Sequence, residues 1–72
     1  MNYYQKLRYL REANEKSQQE VADYLHIAQT QYSRYETGKR EITASLLADL
    51  CNYYDVSADY ILGLPQRSLR RY

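Results

Sequence analysis

The sequence contains few of the residues that interrupt helices, form disulfides or build membrane spans. Its 72 residues include two glycines, one proline and one cysteine, and neither tryptophan nor phenylalanine. A single cysteine excludes an internal disulfide and a cysteine-based metal site, which is typical of a reducing compartment. The longest apolar runs are two or three residues, whereas a membrane-spanning helix needs roughly 20. We therefore expect a cytoplasmic protein with no metal site and no membrane contact.

The chain is also short, and it lacks the residue arrangements that catalysis uses. A chain of this length buries only about 60% of the surface that its unfolded form exposes, which leaves little room for a catalytic cleft. The sequence contains no nucleophile beside a base, no pair of acids and no glycine-rich phosphate loop. We expect one binding domain that is not an enzyme and that uses no cofactor and no small-molecule ligand.

Net charge is low, but the charges are unevenly distributed. Ten Lys and Arg residues against nine Asp and Glu residues give a net charge of +1, which on its own argues against a nucleic-acid partner. Residues 1–40 carry seven bases and five acids, residues 41–63 four acids and no base, and residues 64–72 three arginines and no acid. This segregation permits one basic face, although solvated charges that average out over the surface explain it equally well.

Helical periodicity is the strongest pattern in the sequence. Apolar residues recur with the spacing of an α-helix between few breakers, which predicts an all-α fold. Ser17 and Glu20 have the spacing of a capping box, and Gly38 is suited to end a helix in the left-handed conformation. The predicted helices span about 3–14, 18–25, 29–36, 44–54 and 58–62.

The segment QTQYSRYETGKRE, residues 29–41, combines two tyrosines with a run of polar residues. At about 100° per residue, Tyr32 and Tyr35 fall on one side of the predicted third helix, and Glu36 lies close to them. We expect the tyrosines to be buried and to hold this helix against the domain. The side chains left on the outward arc are Gln29, Thr30, Ser33 and Arg34.

Four pieces of the sequence, in this order and at these spacings, resemble the phage-repressor, Cro-type or XRE helix-turn-helix family. They are LRE, SQQEVADYL, QTQYSRYETGKRE and YYDVSADYILGL, and the resemblance extends over residues 10–64. It implies a compact five-helix, lambda-repressor-like domain over residues 1–64 that binds double-stranded DNA with the helix at 29–36 in the major groove. Residues 65–72 then form a basic C-terminal tail, which we expect to be flexible.

Three residues depart from the usual pattern of this family. Lys16 replaces an apolar residue, so the second helix lacks its usual hydrophobic staple. The other two departures lie just before the third helix. His26 stands in the turn between the second and third helices, where glycine is common, and histidine must pay some strain there. Ala28 stands where Ser or Thr usually caps the third helix, a loss on the order of 1 kcal/mol. These departures lower local stability and leave the outward arc unchanged.

The residue types of the outward arc suit the edges of bases in the major groove. A glutamine can pair with adenine through two hydrogen bonds, an arginine can pair with guanine, and a threonine can contact thymine or phosphate. The base-reading candidates are therefore Gln29, Thr30, Ser33 and Arg34. A plain solvated helix face is the alternative interpretation of this arc.

The resemblance also implies phosphate contacts and one structural ion pair. The N-terminus of a helix attracts anions, and Lys and Arg neutralise the DNA backbone. Arg11 and Glu36 occupy positions that commonly pair in this family, and such a pair would support the third helix. The phosphate-binding candidates are Gln18, Thr37, Lys39 and Arg40.

The function implied is a sequence-specific transcriptional regulator, specifically a repressor that binds a palindromic operator as a homodimer. One eight-residue helix is about 12 Å long and touches only a few base pairs, so two copies are expected to act together. The candidate dimer surface consists of Tyr53, Tyr54, Tyr60 and Leu64. The alternative is a protein-interaction module of the same fold, like an antitoxin or antirepressor.

Overall fold

Five α-helices form the part of the chain that the computed structural model describes, which is residues 1–64. Their bounds are α1 Tyr3–Ala13, α2 Gln18–Leu25, α3 Gln29–Glu36, α4 Ala44–Tyr54 and α5 Ala58–Leu62. The all-α fold class is confirmed, and so are four of the five predicted helix spans. The predicted tail, residues 65–72, lies outside the described residues. None of the five helices in residues 1–64 has the length and apolar character needed to cross a bilayer.

Asparagine residues cap both ends of α1. Asn2 Oδ1 accepts a hydrogen bond from the Gln5 backbone N–H at 3.0 Å, and Gln5 Oε1 accepts one from the Asn2 N–H at 3.1 Å. This reciprocal capping box starts the helix one residue after Asn2. The predicted extension of the helix to Asn14 is wrong, because Asn14 is the C-cap and its Nδ2 donates back to the Leu10 carbonyl at 2.8 Å.

The later helices begin as their polar N-caps predict, with one exception. The capping box before α2 is confirmed, since Ser17 Oγ accepts from the Glu20 N–H at 3.0 Å and Glu20 Oε1 accepts from the Ser17 N–H at 2.8 Å. Thr43 and Ser57 cap α4 and α5 through their hydroxyl oxygens. Ala28 provides no side-chain cap for α3, which leaves the first N–H groups of that helix without a side-chain partner.

One apolar core lies between the helices, and two tyrosines of α3 are among its most deeply buried members. Tyr32 and Tyr35 expose 0% and 1% of their surface, which confirms that this side of α3 points inward. Burying a leucine side chain stabilises a fold by roughly 1.5–3 kcal/mol. The core consists of Leu7, Leu10, Val21, Ala22, Leu25, Tyr32, Tyr35, Leu50 and Ile61.

The turn between α2 and α3 requires a left-handed residue. His26 has φ 60° and ψ 40°, as the sequence predicts. The backbone N–H of Ile27 donates to the Ala22 carbonyl at 3.0 Å, which closes the end of α2. This turn brings the first residue of α2, Gln18, within hydrogen-bonding distance of the first residue of α3, Gln29.

Two tyrosines of α1 hold the loop that follows α3. Gly38 has φ 77°, and a Cβ at this position would lie 2.7 Å from Tyr4 Cζ, so the ring of Tyr4 leaves no space for a side chain. The Ile42 backbone N–H donates to the Tyr3 hydroxyl at 3.1 Å. The loop is thereby fixed against α1 on both sides of Lys39 and Arg40.

The predicted dimer surface is only partly exposed. Tyr53 and Tyr54 are half-buried against the core, so the prediction that these two tyrosines are exposed is wrong. Tyr24 covers Tyr53, with ring centroids 4.4 Å apart. Tyr60 and Leu64 are exposed as predicted. Lys6 Nζ lies 4.0 Å from the centroid of the Tyr60 ring, so the aromatic face carries a positive charge.

Candidate nucleic-acid interface

The outward arc of α3 carries the four predicted base-reading side chains, and we call it the α3 outer face. Thr30 and Arg34 are exposed, and Gln29 and Ser33 are half-buried. Within residues 1–64 the Arg34 guanidinium forms no ion pair. The other side of the same two-turn helix is held in the core by its tyrosines. The helix therefore presents a polar surface while its axis is fixed.

A buried carboxylate at the end of α3 collects hydrogen bonds from three neighbouring side chains. Arg11 donates from Nε to Glu36 Oε2 at 2.7 Å and from Nη2 to Oε1 at 3.2 Å. The Tyr32 hydroxyl donates to Oε2 at 2.6 Å, and Gln18 Nε2 donates to Oε1 at 3.1 Å. The Arg11 and Glu36 side chains are only 13% and 3% exposed, so this ion pair joins α1 to the C-terminal end of α3 in a largely dry environment.

These contacts determine the protonation of the cluster. Burial alone would raise the pKa of Glu36, but the hydrogen bonds from Arg11, Tyr32 and Gln18 outweigh it and hold that pKa below its usual range. Burial, and then the hydrogen bond to Glu36, raises the pKa of Tyr32 far above that of a free tyrosine. At neutral pH Glu36 is therefore charged and the Tyr32 hydroxyl keeps its proton.

A second hydrogen bond extends this cluster to the α3 outer face. Gln29 Nε2 donates to Gln18 Oε1 at 2.5 Å, so Gln29, Gln18 and Glu36 form a continuous chain of hydrogen bonds. The sequence predicts a separate role for each of these residues and does not connect them. The sequence feature that could have predicted their contact is that Gln18 and Gln29 are the first residues of two helices joined by a tight turn.

The predicted phosphate-binding residues differ in whether their polar groups are free to bind a phosphate. The Thr37 hydroxyl donates to the Ser33 carbonyl at 3.1 Å, so it must exchange this bond to bind a phosphate. The half-buried Gln18 amide is likewise engaged inside the protein. Lys39 and Arg40 are exposed, and neither is paired with a carboxylate within residues 1–64. Among the four predicted phosphate-binding residues, Lys39 and Arg40 are therefore the most accessible to a phosphate.

Two further residues are of interest for their chemistry. Cys51 packs beside the core, where burial raises the pKa of its thiol, which favours an unreactive packing role. His26 lies exposed in the turn between α2 and α3. In the described part of the chain, no three or more His, Cys, Asp and Glu side chains come together in a way that could hold a metal ion.

The order of the helices and the tight turn before α3 can be compared with known families. The model of the family described as helix-turn-helix matches residues 7–61. The chain belongs to the helix-turn-helix family. The matched residues run from the middle of α1 to Ile61 in α5, so they include the whole core of the described residues. The resemblance to the XRE type is confirmed.

Relatives from Bacillus subtilis (strain 168) include two regulators of this type. The uncharacterized HTH-type transcriptional regulator YobD is 40% identical over 62 residues, which are 86% of this chain and 55% of the relative. The HTH-type transcriptional regulator ImmR is 40% identical over 57 residues, which are 75% of this chain and 45% of the relative. The chain thus spans about half the length of the relatives it matches.

A solved structure has the same helix-turn-helix fold. The crystal structure of a transcriptional regulator from Listeria innocua superimposes with a TM-score of 0.84 over 96% of this chain and 64% of its own, at 19% sequence identity. At this identity the likeness concerns the fold. Family, fold and relatives are those of transcriptional regulators and not of enzymes.

Proposed function

We propose that residues 1–64 form the DNA-binding domain of a transcriptional regulator and that the α3 outer face reads duplex DNA in the major groove. The observation that carries this proposal is the division of one short helix into two sides. Tyr32 and Tyr35 are buried, while Thr30 and Arg34 are exposed on the side that faces away from the core. A helix of this kind fits the width of the major groove and presents donors and acceptors to base edges.

Base recognition is assigned to the four side chains of the α3 outer face. Arg34 is the strongest candidate because a guanidinium can donate two hydrogen bonds to guanine O6 and N7. Gln29 can pair with adenine, and Thr30 can contact the methyl group of thymine. Ser33 can hydrogen-bond to more than one base and so adds contact rather than discrimination.

Backbone contacts are assigned to the residues that flank α3. Lys39 and Arg40 lie in the loop fixed by α1, and they supply positive charge to phosphates beside the groove. Gln18 and Thr37 are assigned weaker phosphate contacts, because their polar groups must share or exchange internal hydrogen bonds. Such contacts set the register of the domain on the duplex without reading its sequence.

We further propose that the regulator acts as a homodimer on a palindromic operator and that it represses. Two copies related by a twofold axis place their α3 helices about 34 Å apart, in successive major grooves. Tyr60 and Leu64 are exposed at the C-terminal end of the described chain and are the proposed contact between copies. Repression requires only that the operator be occupied, and a DNA-binding domain is sufficient for that. We propose that it acts in the cytoplasm, where it has access to the DNA.

A second candidate function is supported by the same C-terminal surface. Tyr60, Leu62 and Leu64 expose 39%, 40% and 51% of their surface, and exposed apolar residues that are close together favour a protein partner. In this alternative the domain acts like an antitoxin or antirepressor, and the partner binds at α5. This alternative does not explain why Arg34, Lys39 and Arg40 are exposed and charged.

The experiment that tests the proposal is selection of duplexes from a random DNA pool with the full chain. We expect an inverted repeat to be enriched, with half-sites separated by about one helical turn. Recovery of duplexes without any common sequence would contradict sequence-specific binding and would favour the protein-interaction alternative. Recovery of a single half-site would retain base reading and overturn the dimer.

A further inference from the structure

The hydrogen bonds that start at Glu36 have a fixed direction. An ionised carboxylate can only accept hydrogen bonds, and Arg11 Nε and the Tyr32 hydroxyl both donate to Glu36 Oε2, at 2.7 and 2.6 Å. Gln18 must turn its NH2 group toward the other oxygen, Oε1, and its Nε2 lies 3.1 Å from that oxygen. The orientation of the Gln18 amide therefore follows from the charge on Glu36.

This direction is passed on to Gln29. Because the Gln18 NH2 group faces Glu36, Gln18 Oε1 is left to accept, and it accepts from Gln29 Nε2 at 2.5 Å. An amide has two N–H groups and one carbonyl oxygen, so Gln29 keeps one N–H and its Oε1. Within residues 1–64 no side chain or backbone group hydrogen-bonds to Gln29 Oε1. A free acceptor beside a free donor is the pair that matches adenine N6 and N7.

The opposite orientation of the Gln29 amide would favour a different base. With its carbonyl oxygen turned toward Gln18, Gln29 would present N–H groups to the groove. Guanine offers two acceptors there, O6 and N7, whereas adenine offers one acceptor and one donor. The direction of the hydrogen bond between Gln18 and Gln29 thus decides between adenine and guanine.

We propose that Glu36 is a positioning residue for base recognition, and that it makes α3 select adenine at the base that Gln29 contacts. Glu36 is 7% exposed and acts through Gln18, by holding the acceptor oxygen of Gln29 free for the base. Arg11 Nε and the Tyr32 hydroxyl contribute by occupying the other carboxylate oxygen, while Arg11 Nη2 shares Oε1 with Gln18. The inference rests on the proposed function, because it requires the α3 outer face to lie in the major groove.

The substitution Glu36→Gln tests this inference because it reverses the direction while keeping the shape of the side chain. The new amide has one acceptor oxygen, and that oxygen takes the Oε2 position because Arg11 Nε and the Tyr32 hydroxyl donate there at 2.7 and 2.6 Å. The donation from Arg11 Nη2 to the Oε1 position, at 3.2 Å, is the longer contact and is given up. The NH2 group of the new amide is then left to face Gln18. Gln18 must accept from it, so its own NH2 group turns toward Gln29, which must accept in turn.

The experiment is selection from a random duplex pool, followed by sequencing, with the wild-type chain and four variants. Gln29→Ala identifies the base pair whose preference depends on Gln29. At that base pair we expect the wild type to select adenine. In E36Q we expect the ratio of adenine to guanine to fall by roughly 5-fold to 150-fold, the range that one bidentate pair provides. Preferences at all other base pairs should persist.

Gln18→Met is the second variant, and it removes the link while Glu36 keeps its charge and its other donors. The Gln29 amide is then free to adopt either orientation, so the preference for adenine over guanine should weaken several-fold. Gln31→Ala is the matched control, because Gln31 is a glutamine of the same helix that donates to the Tyr35 hydroxyl and not to the chain. We expect Q31A to select the wild-type sequence. Circular dichroism and thermal unfolding establish that each variant is folded at the selection temperature.

Each outcome has a defined meaning. A loss of adenine preference in both E36Q and Q18M, confined to the base pair defined by Q29A, supports the inference. If E36Q does not fold, Q18M alone decides. Unchanged adenine preference in either folded variant overturns the inference and leaves the proposed function standing. A Q29A pool that matches the wild-type pool also overturns the inference, since Gln29 then reads no base. If the wild-type chain selects no sequence at all, the proposed function fails and the inference fails with it.

Discussion

Arg11 and Glu36 are 25 residues apart in the sequence, yet the Arg11 Nε atom lies 2.7 Å from Glu36 Oε2 and the two groups form a two-pronged ion pair. The pair joins α1 to the end of α3, the helix that we propose enters the groove. Because only 13% and 3% of the two side chains are exposed, neither partner can recover its hydration when the other is removed. We therefore expect the pair to contribute to the stability of the domain and to the position of α3.

The first prediction concerns the cost of breaking this pair. Arg11→Met leaves Glu36 as an uncompensated buried charge and should lower the free energy of unfolding by about 3–5 kcal/mol. Arg8→Ala is the control, because Arg8 pairs with Glu12 on the surface, where such pairs contribute at most about 1 kcal/mol. Urea denaturation measures both. Additive losses in a double-mutant cycle of R11M with E36Q would show that the two side chains are not coupled.

The second prediction concerns the loss of stability at low pH. The hydrogen bonds to Glu36 hold its folded-state pKa below its usual range, so its contribution is fully present above the unfolded pKa of about 4.3. It is lost as the pH falls through the folded-state pKa. Urea midpoints measured from neutral pH downward should therefore decline more steeply for the wild type than for E36Q. Parallel pH profiles would mean that Glu36 has the same pKa in the folded and unfolded chains.

The third prediction compares two buried tyrosine hydroxyls. The Tyr32 hydroxyl donates to Glu36, whereas the buried Tyr54 hydroxyl has no hydrogen-bond partner in the part of the chain that the structure describes. Tyr32→Phe removes a hydrogen bond to a charged group and should cost about 1.5–3 kcal/mol. Tyr54→Phe removes an unsatisfied group and should leave stability unchanged or raise it by up to about 1 kcal/mol. Equal losses in thermal unfolding would contradict the assignment of the two hydroxyls.

The fourth prediction compares the two glycines, which both have a positive φ. Gly63 has φ 73° with open space around a Cβ, so Gly63→Ala should cost roughly 1–2 kcal/mol of backbone strain alone. At Gly38 the Cβ would also press on the ring of Tyr4 at 2.7 Å, and overpacking adds roughly 1–3 kcal/mol. Denaturation of the two variants should therefore rank G38A as the less stable. Similar stabilities would show that Tyr4 can move aside without cost.

The features that residue spacing alone predicted well depend on neighbours along the chain, whereas the pair between Arg11 and Glu36 was expected only from the family resemblance. Ser17 and Glu20 are three residues apart, and the burial of Tyr32 and Tyr35 follows from counting residues along one helix. Within residues 1–64 four of the five helix spans were accordingly predicted to the residue. The exception is the end of α1, where the Asn14 side chain caps the helix by folding back on a carbonyl. Periodicity does not distinguish a packing residue from a capping residue at that position.

The features that the sequence did not predict depend on how separate helices pack. The chain of hydrogen bonds from Gln29 through Gln18 to Glu36 crosses from α3 to α2 and back, and no periodicity within one helix reveals it. The hydroxyl of Tyr32 was unpredicted for the same reason, since its ring fits the apolar stripe whether or not a carboxylate is near. The burial of Tyr53 depends on Tyr24, which belongs to another helix.

The most direct test of the account is to compare Arg34→Ala with Arg8→Ala on two kinds of duplex, the selected site and random DNA. Each variant removes one arginine, but only Arg34 lies on the α3 outer face. We predict that R34A loses about 1–3 kcal/mol of binding free energy on the selected site and much less on random DNA, while R8A changes both by the same small amount. Equal losses for R34A on the two duplexes would make Arg34 a phosphate contact and would contradict base reading by the α3 outer face.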